Sequence, residues 1–181
     1  MEQLHEISKR LINLSELNFQ RSLFNQINWN DKLIEIKGAR GVGKTTLMLQ
    51  KAKELSNAGK SVLYISLDIP YFYKNQLFET AEEFFKYGGQ YLFIDEVHKY
   101  PQKQKKLDWA QELKNIYDTI PDLFVVYSGS SILQLYQSQG DLSRRKSSYF
   151  LNGLSFREYL QFYKKINFKS FTLNELISVC L

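Results

Sequence analysis

Leu33-Ile34-Glu35-Ile36-Lys37-Gly38-Ala39-Arg40-Gly41-Val42-Gly43-Lys44-Thr45-Thr46 is the stretch on which the reading of this chain turns. Its opening residues are β-rich and almost wholly apolar, which predicts a short strand ending at Gly38. A helix is expected to start near Lys44 and run to about Asn57, with Gly59 just past its end as a cap. Between them, glycines at 38, 41 and 43 let the backbone curl into a nest with its N–H groups turned inward. The N-terminus of the following helix adds its dipole and its free N–H groups on the same side, so the place is built for an anion.

The residues also fit the pattern G-x-x-x-x-G-K-[ST], the phosphate-binding P-loop, and each position has a chemical reason. Gly38, Ala39, Arg40, Gly41, Val42 and Gly43 supply the cradle, and Lys44 reaches the β- and γ-phosphates. The Thr45 hydroxyl is a Mg²⁺ ligand, and Thr46 completes the expected nucleotide-binding stretch Gly38–Thr46. Tyr91-Leu92-Phe93-Ile94-Asp95-Glu96 is the complementary half. An apolar run of this kind is a strand covered on both faces. Asp95 at its tip is placed to hold the Mg²⁺ water shell, and Glu96 to orient or deprotonate an attacking water. The interval from Lys44 to Asp95 holds a helix, a strand and another helix. This spacing predicts that the Asp95 strand lies beside the P-loop strand.

Working outward, residues 2–17 carry Leu4, Ile7, Leu11, Leu14 and Leu17 at helical spacing, and residues 19–28 are expected to continue as a second helix. A second strand is predicted over Ser61–Leu67 and a helix over 75–87. A further helix is expected over 105–119, then a fourth strand over Leu123–Tyr127 running into Ser128-Gly129-Ser130. A helix over 131–138, a fifth strand at Tyr149–Leu151, a helix over 155–164 and an amphipathic tail over 171–181 complete the pattern. Strands alternating with helices give βαβ units and a parallel sheet, hence an α/β fold.

The chain has 181 residues, enough for one ordinary domain, and its 44% hydrophobic content supports a real core. A net charge of +5 favours anionic partners without singling out nucleic acid. Cys180 is the only cysteine and His5 and His98 the only histidines, which excludes an intrachain disulfide and a Cys/His zinc site. The polar start Met1-Glu2-Gln3 is unlike a signal peptide, and no segment is apolar for long enough to span a bilayer, so a cytoplasmic location and no membrane partner are expected.

Three further places are candidates. Ser128, closing the fourth strand, can hydrogen-bond a γ-phosphate or the attacking water. Arg144 and Arg145, ahead of the fifth strand, can stabilise phosphoryl-transfer charge on a neighbouring subunit. His98 and Lys99 read as loop or helix-start residues or as contacts to a substrate or partner, while Lys99, Lys103, Lys105 and Lys106 form a basic cluster, a solvated face or a polyanion contact.

Taken together, five blocks resemble one family. They are Gly38–Thr46, Phe93–Pro101, Tyr127–Ser131, Asp141–Arg145 and Leu154–Tyr159. In this order they are similar to the bacterial and archaeal AAA-type ATPases in which an ATPase domain precedes a C-terminal domain of uncertain role. The resemblance covers about residues 15–165. It implies a RecA/AAA-type core sheet of about five strands, ATP as ligand, Ser128 as sensor, and Arg144 or Arg145 where arginine fingers lie. The expected organisation is an N-terminal helical segment (1–30), the ATPase domain (31–165) and the start of a truncated C-terminal region (166–181). Nucleic acid or a protein would be engaged through that missing region, and self-association through the arginines.

The function expected is Mg²⁺-dependent ATP hydrolysis by in-line attack of water. The rivals are a slow or non-hydrolysing ATP-dependent switch, and a small-molecule kinase. The kinase reading lacks an acceptor pocket and an Arg-rich lid, and Glu96 favours water as acceptor. ATP is preferred to GTP because no Asn-Lys-x-Asp run occurs in the chain.

Overall fold

The structure, a computed structural model, describes residues 1–101, 108–129 and 142–165. The predicted helix over 131–138, the tail over 171–181, and Lys103, Lys105 and Lys106 lie outside the described residues.

Five strands form one parallel sheet: β1 (Leu33–Lys37), β2 (Val62–Ser66), β3 (Tyr91–Asp95), β4 (Phe124–Gly129) and β5 (Ser147–Phe150), in the order β2-β3-β4-β1-β5. The α-helices of the described residues are α1 (Glu2–Leu14), α2 (Lys44–Asn57), α3 (Leu77–Lys86), α4 (Trp109–Thr119) and α5 (Phe156–Tyr159), the last running on as a π turn over Leu160–Lys164. The start and end expected for α2 are those found, and Gly59 N–H closes the helix on the Ser56 carbonyl.

Two expectations need correction. The Asp95 strand is not beside the P-loop strand: β4 lies between them. Spacing along the chain constrains how many elements intervene, but not which strand is inserted later from downstream sequence. Residues 19–28 do not form a helix either; only a single 3₁₀ turn, Ser22–Asn25, is present. Arg21 just before it is extended and largely buried, and its guanidinium is committed to distant partners rather than to a helical surface.

The period of two along each strand sorts side chains between two apolar layers. Ile34, Ile36, Tyr64, Phe93 and Val126 face α2, where Leu47, Met48 and Ala52 meet them. Leu63, Ile65, Leu92, Ile94, Val125 and Tyr127 face the other way, toward Leu77, Ala81 and Phe84 of α3 and Leu113 and Ile116 of α4. The same alternation puts the polar ends of β3 and β4, Asp95 and Ser128, on the α2 side.

Helix α1 lies along edge strand β2. Ser8 Oγ accepts the Tyr64 backbone N–H at 2.8 Å, and Lys53 Nζ of α2 donates to the Asn13 and Ser15 carbonyls at the end of α1. A cation at a helix C-terminus is favourable both as a donor to free carbonyls and against the dipole.

Candidate nucleotide-binding site

Gly38 to Gly43 connect β1 to α2 at the C-terminal end of the sheet, where open α/β sheets place their ligands. Gly38 is required by close approach: a Cβ there would lie 2.4 Å from the Leu151 carbonyl oxygen. Gly43, at φ 98°, holds the left-handed conformation that caps α2 without a side-chain cap. The loop therefore fits a phosphate chain by its own backbone chemistry, with glycine-permitted curvature leading into a fourteen-residue helix whose first N–H groups lack intrahelical partners.

Lys44 is largely buried, and its Nζ donates to the Gly38 and Ala39 carbonyls at 2.9 and 2.8 Å. Burial lowers its pKa, against the nearby carboxylates of Glu96 and Asp95, which raise it. The ammonium thus sits folded over the loop, at the place from which a phosphate can recruit it.

Asp95 is the centre of the site. It is 2% exposed and accepts four hydrogen bonds, from Thr45 Oγ1 (2.5 Å) and Tyr64 OH (2.8 Å) at Oδ2, and from Ser128 Oγ and the Glu96 N–H (2.9 Å) at Oδ1. Four strands and helices converge here because the strand period sends Tyr64, Asp95 and Ser128 to the α2 face. Residues Thr45 and Asp95, expected to share a metal ion, are brought into direct contact. Ser128, expected to face a phosphate or water, is fully buried and reaches Asp95 instead. The participation of Tyr64 was not legible: it reads as a core aromatic in an apolar run. Burial and the Asp95 carboxylate push its phenol far above the ordinary tyrosine range, so it remains a donor.

Glu96 adopts φ 54°, ψ 42°, a left-handed conformation that is uncommon for a non-glycine residue. Strain of this kind collects at functional positions. Its Oε2 lies 3.2 Å from Nε2 of His98, and the Glu96 side chain is 29% exposed. Burial pulls the His98 pKa below its usual value, against the raising effect of Glu96.

Arg144 and Arg145 fall in the turn before β5. Ser147 of β5 pairs with Ile34 and Phe150 pairs with Lys37, so the two arginines lie at the end of the sheet opposite the P-loop. Strand β5 alone accounts for about 10 Å of that separation. Arg145 meets Asp118 at the end of α4 (Nε to Oδ1, 2.9 Å) and Arg144 is exposed. Neither joins the site of its own chain.

Beside the loop is a cavity of about 440 Å³. Its walls come from Phe19 and Arg21, from Arg40–Gly43, from Thr46, Leu47 and Gln50 of α2, and from Gly153, Leu154 and Phe162. Gln50 Nε2 ties the N-terminal wall to α2 by donating to the Glu16 and Phe19 carbonyls. Glu158 holds the opposite wall; its carboxylate accepts from Arg21, from Ser22 N–H and Oγ, and from Ser155 N–H. Burial raises the pKa of Glu158, but these donors outweigh it and hold the value down at about 2. No local signal in residues 15–25 marks Arg21 as part of the site.

Residues 30–160 match the family described as AAA domain. Among solved structures, the chain is similar to PCH-2 of C. elegans at 17% identity and TM-score 0.49, over 84% of this chain and 43% of that one. It is also similar to AMPPCP-bound DnaA from Aquifex aeolicus, at 18% identity and TM-score 0.45, over 98% and 54% of the two chains. A third similar structure is described as a DNA replication initiation factor, at 16% identity and TM-score 0.48, over 90% and 50%. The chain spans about half the length of these proteins. No match was found among curated proteins. Among the described residues, no helix is long and apolar enough to cross a membrane.

Proposed function

The chain belongs to the AAA domain family, and on that footing we propose that it binds ATP with Mg²⁺ at the P-loop and hydrolyses the terminal phosphoanhydride. The observation that carries this reading is the contact between Thr45 and Asp95 at 2.5 Å, which sets a hydroxyl and a carboxylate together beside the phosphate cradle. This is the oxygen-rich donor pair that Mg²⁺ selects when phosphates supply further ligands. When bound, Mg²⁺ neutralises phosphate charge and orients the terminal phosphoryl group.

The residues of the chain do the rest. Loop N–H groups and Lys44 bind the phosphates, and Thr45 and Asp95 hold the cation. Tyr64 and Ser128 keep the Asp95 carboxylate oriented. Glu96 positions water and takes its proton. The cavity lined by Phe19, Leu154 and Phe162 receives the base, with apolar and aromatic walls suited to a flat heterocycle. Arg144 or Arg145, remote from their own P-loop, act on a neighbour's nucleotide if the chain assembles.

One observation favours a second reading, an ATP-dependent switch that turns over slowly: the Glu96 carboxylate is engaged by His98. Glu96→Gln separates the two. For an ATPase, the variant retains ATP·Mg²⁺ binding by calorimetry while steady-state hydrolysis falls about 10²-fold or more, since an amide orients water but accepts no proton. Equal turnover in variant and native protein sinks the assignment of Glu96. Native turnover at the background rate, with ATP still bound, selects the switch.

A further inference from the structure

Arg21 is 8% exposed and donates to three sites, one in the P-loop and two in the stretch 152–158. Its Nη1 reaches the Val42 carbonyl in the P-loop at 2.6 Å. Its Nη2 reaches the Asn152 and Gly153 carbonyls at 2.8 and 3.0 Å, just beyond β5. Its Nε meets Glu158 of α5 at 3.0 Å. The bond to Val42 has a geometric consequence. A trans peptide unit points its C=O and N–H in opposite directions, so gripping the Val42 oxygen fixes the direction of the Gly43 N–H on the other side. That N–H belongs to the phosphate-binding loop.

Glu158 completes an N-terminal capping box with Ser155 while accepting Arg21 and Ser22, so the same carboxylate anchors the start of α5 and the guanidinium under the loop. Among the described residues, the helical stretch 156–164 has few other contacts to fix it. Phe156 is 77% exposed and Tyr163 62%, and Phe162 touches the body of the domain through Phe19, at a ring separation of 5.1 Å. A planar, five-donor guanidinium can make these four bonds at once, more than the three donors of an ammonium can supply.

We propose that Arg21 and Glu158 form a latch that couples occupancy of the P-loop cavity to the position of the helix 156–164. The inference rests on the nucleotide reading of that cavity. A ligand there touches the loop, the Phe19 wall and the Leu154–Phe162 wall together, and so favours the latched arrangement over any in which the helix has swung away. Only such differential contact lets a ligand shift a conformational equilibrium. By reciprocity, whatever displaces the helix weakens nucleotide binding by the same factor.

The test is amide hydrogen exchange on the full chain, with and without ATP·Mg²⁺, in native protein, Arg21→Lys and Glu158→Gln. ATP should slow exchange in the native protein both in the P-loop and over 156–164, the latter at least about fivefold, the lower end of ordinary coupling between sites. At ATP·Mg²⁺ raised to saturate each protein, the ratio of protection over 156–164 to protection of the P-loop should fall in either variant to less than half its native value. Arg21→Lys keeps the charge and most of the packing, so it remains informative if Glu158→Gln does not fold. P-loop protection in native protein without any response over 156–164 overturns the latch and leaves the nucleotide reading standing. Undiminished coupling in Arg21→Lys also overturns it. No protection of the native P-loop by ATP overturns both.

Discussion

Replacing a buried charged residue at a functional site often stabilises a protein, because the charge was retained for activity at a cost in stability. Asp95 should behave in the opposite way. Its carboxylate is matched by four donors, two at each oxygen. In Asp95→Asn the amide can keep its oxygen toward Ser128 and the fixed Glu96 N–H. Its two hydrogens then face the Thr45 and Tyr64 hydroxyls, which can rotate to accept. All four bonds survive but lose the charge: at about 1.5–3 kcal/mol for a charged bond against 0.5–1.5 for a neutral one the loss is about 4–6 kcal/mol over the four, and no longer burying an ion offsets several kcal/mol of it, leaving a cost of roughly 1–3 kcal/mol. Asp95→Ala strands the Glu96 N–H and the buried Tyr64 hydroxyl, each at about 1–3 kcal/mol, besides losing the rest, so it should cost about 4 kcal/mol or more. At roughly 2–4 °C per kcal/mol for a domain of this size, the melting temperature should fall by about 2–12 °C for Asn and by more for Ala. Calorimetric or circular-dichroism melts in metal-free, nucleotide-free buffer read this directly. An alanine variant that melts at or above the native temperature refutes the reasoning, since it would mean the four donors satisfy themselves elsewhere.

Lys44→Ala should abolish tight ATP binding, losing a charge-assisted contact of about 1.5–3 kcal/mol or more, and unchanged affinity by calorimetry would contradict the P-loop assignment. Acid should strip the Glu158 contribution: with the folded pKa depressed to about 2, its stabilisation is complete above about pH 4.5 and is lost as pH falls from there toward 2. Glu158→Gln should therefore flatten the acid limb of a stability–pH curve, and an unchanged limb would count against the buried pair. Glu112 is the reverse case, buried with Oε1 unpartnered and its pKa raised by burial, against the lowering bond from the Phe78 N–H. Native stability should decline as pH rises from the ordinary glutamate range through that raised value, and Glu112→Gln should remove the decline in the same melts. Hydrolysis per protomer should rise with protein concentration, and Arg144→Ala mixed with Lys44→Ala should recover activity, because the intact P-loop of one then faces an intact arginine of the other. Concentration-independent turnover, with Arg144→Ala and Arg145→Ala fully active, reduces that turn to a surface loop.

The P-loop and its helix were legible because their requirements are local: glycines where curvature is needed, Lys44 and Thr45 at the helix start, Gly59 after its end. The α/β class followed from strand-length apolar runs alternating with helical ones. Strand order was not legible, since inserting β4 between β1 and β3 is a long-range choice that leaves no trace in the β3 sequence. Tyr64, and the Asp95 contact of the already singled-out Ser128, were hidden for a related reason. Which way a strand residue points depends on register with neighbours, and both look unremarkable in their own segments. Arg21 was the least visible, a single cation in a polar stretch whose partners lie at 42, 152, 153 and 158.

The Ser8 hydroxyl that receives the Tyr64 N–H has a consequence for solubility. Strand β2 ends the sheet, and an outer parallel strand offers its free N–H and C=O groups to any extended chain that comes near. Helix α1 covers this border and occupies one of its hydrogen-bonding positions from the side, so a second chain cannot dock there in register. A fragment begun after α1 would still contain the whole P-loop, yet it would present an uncovered border next to the apolar Val62–Ile65 run, and such fragments should accumulate as strand-paired aggregates rather than as monomers.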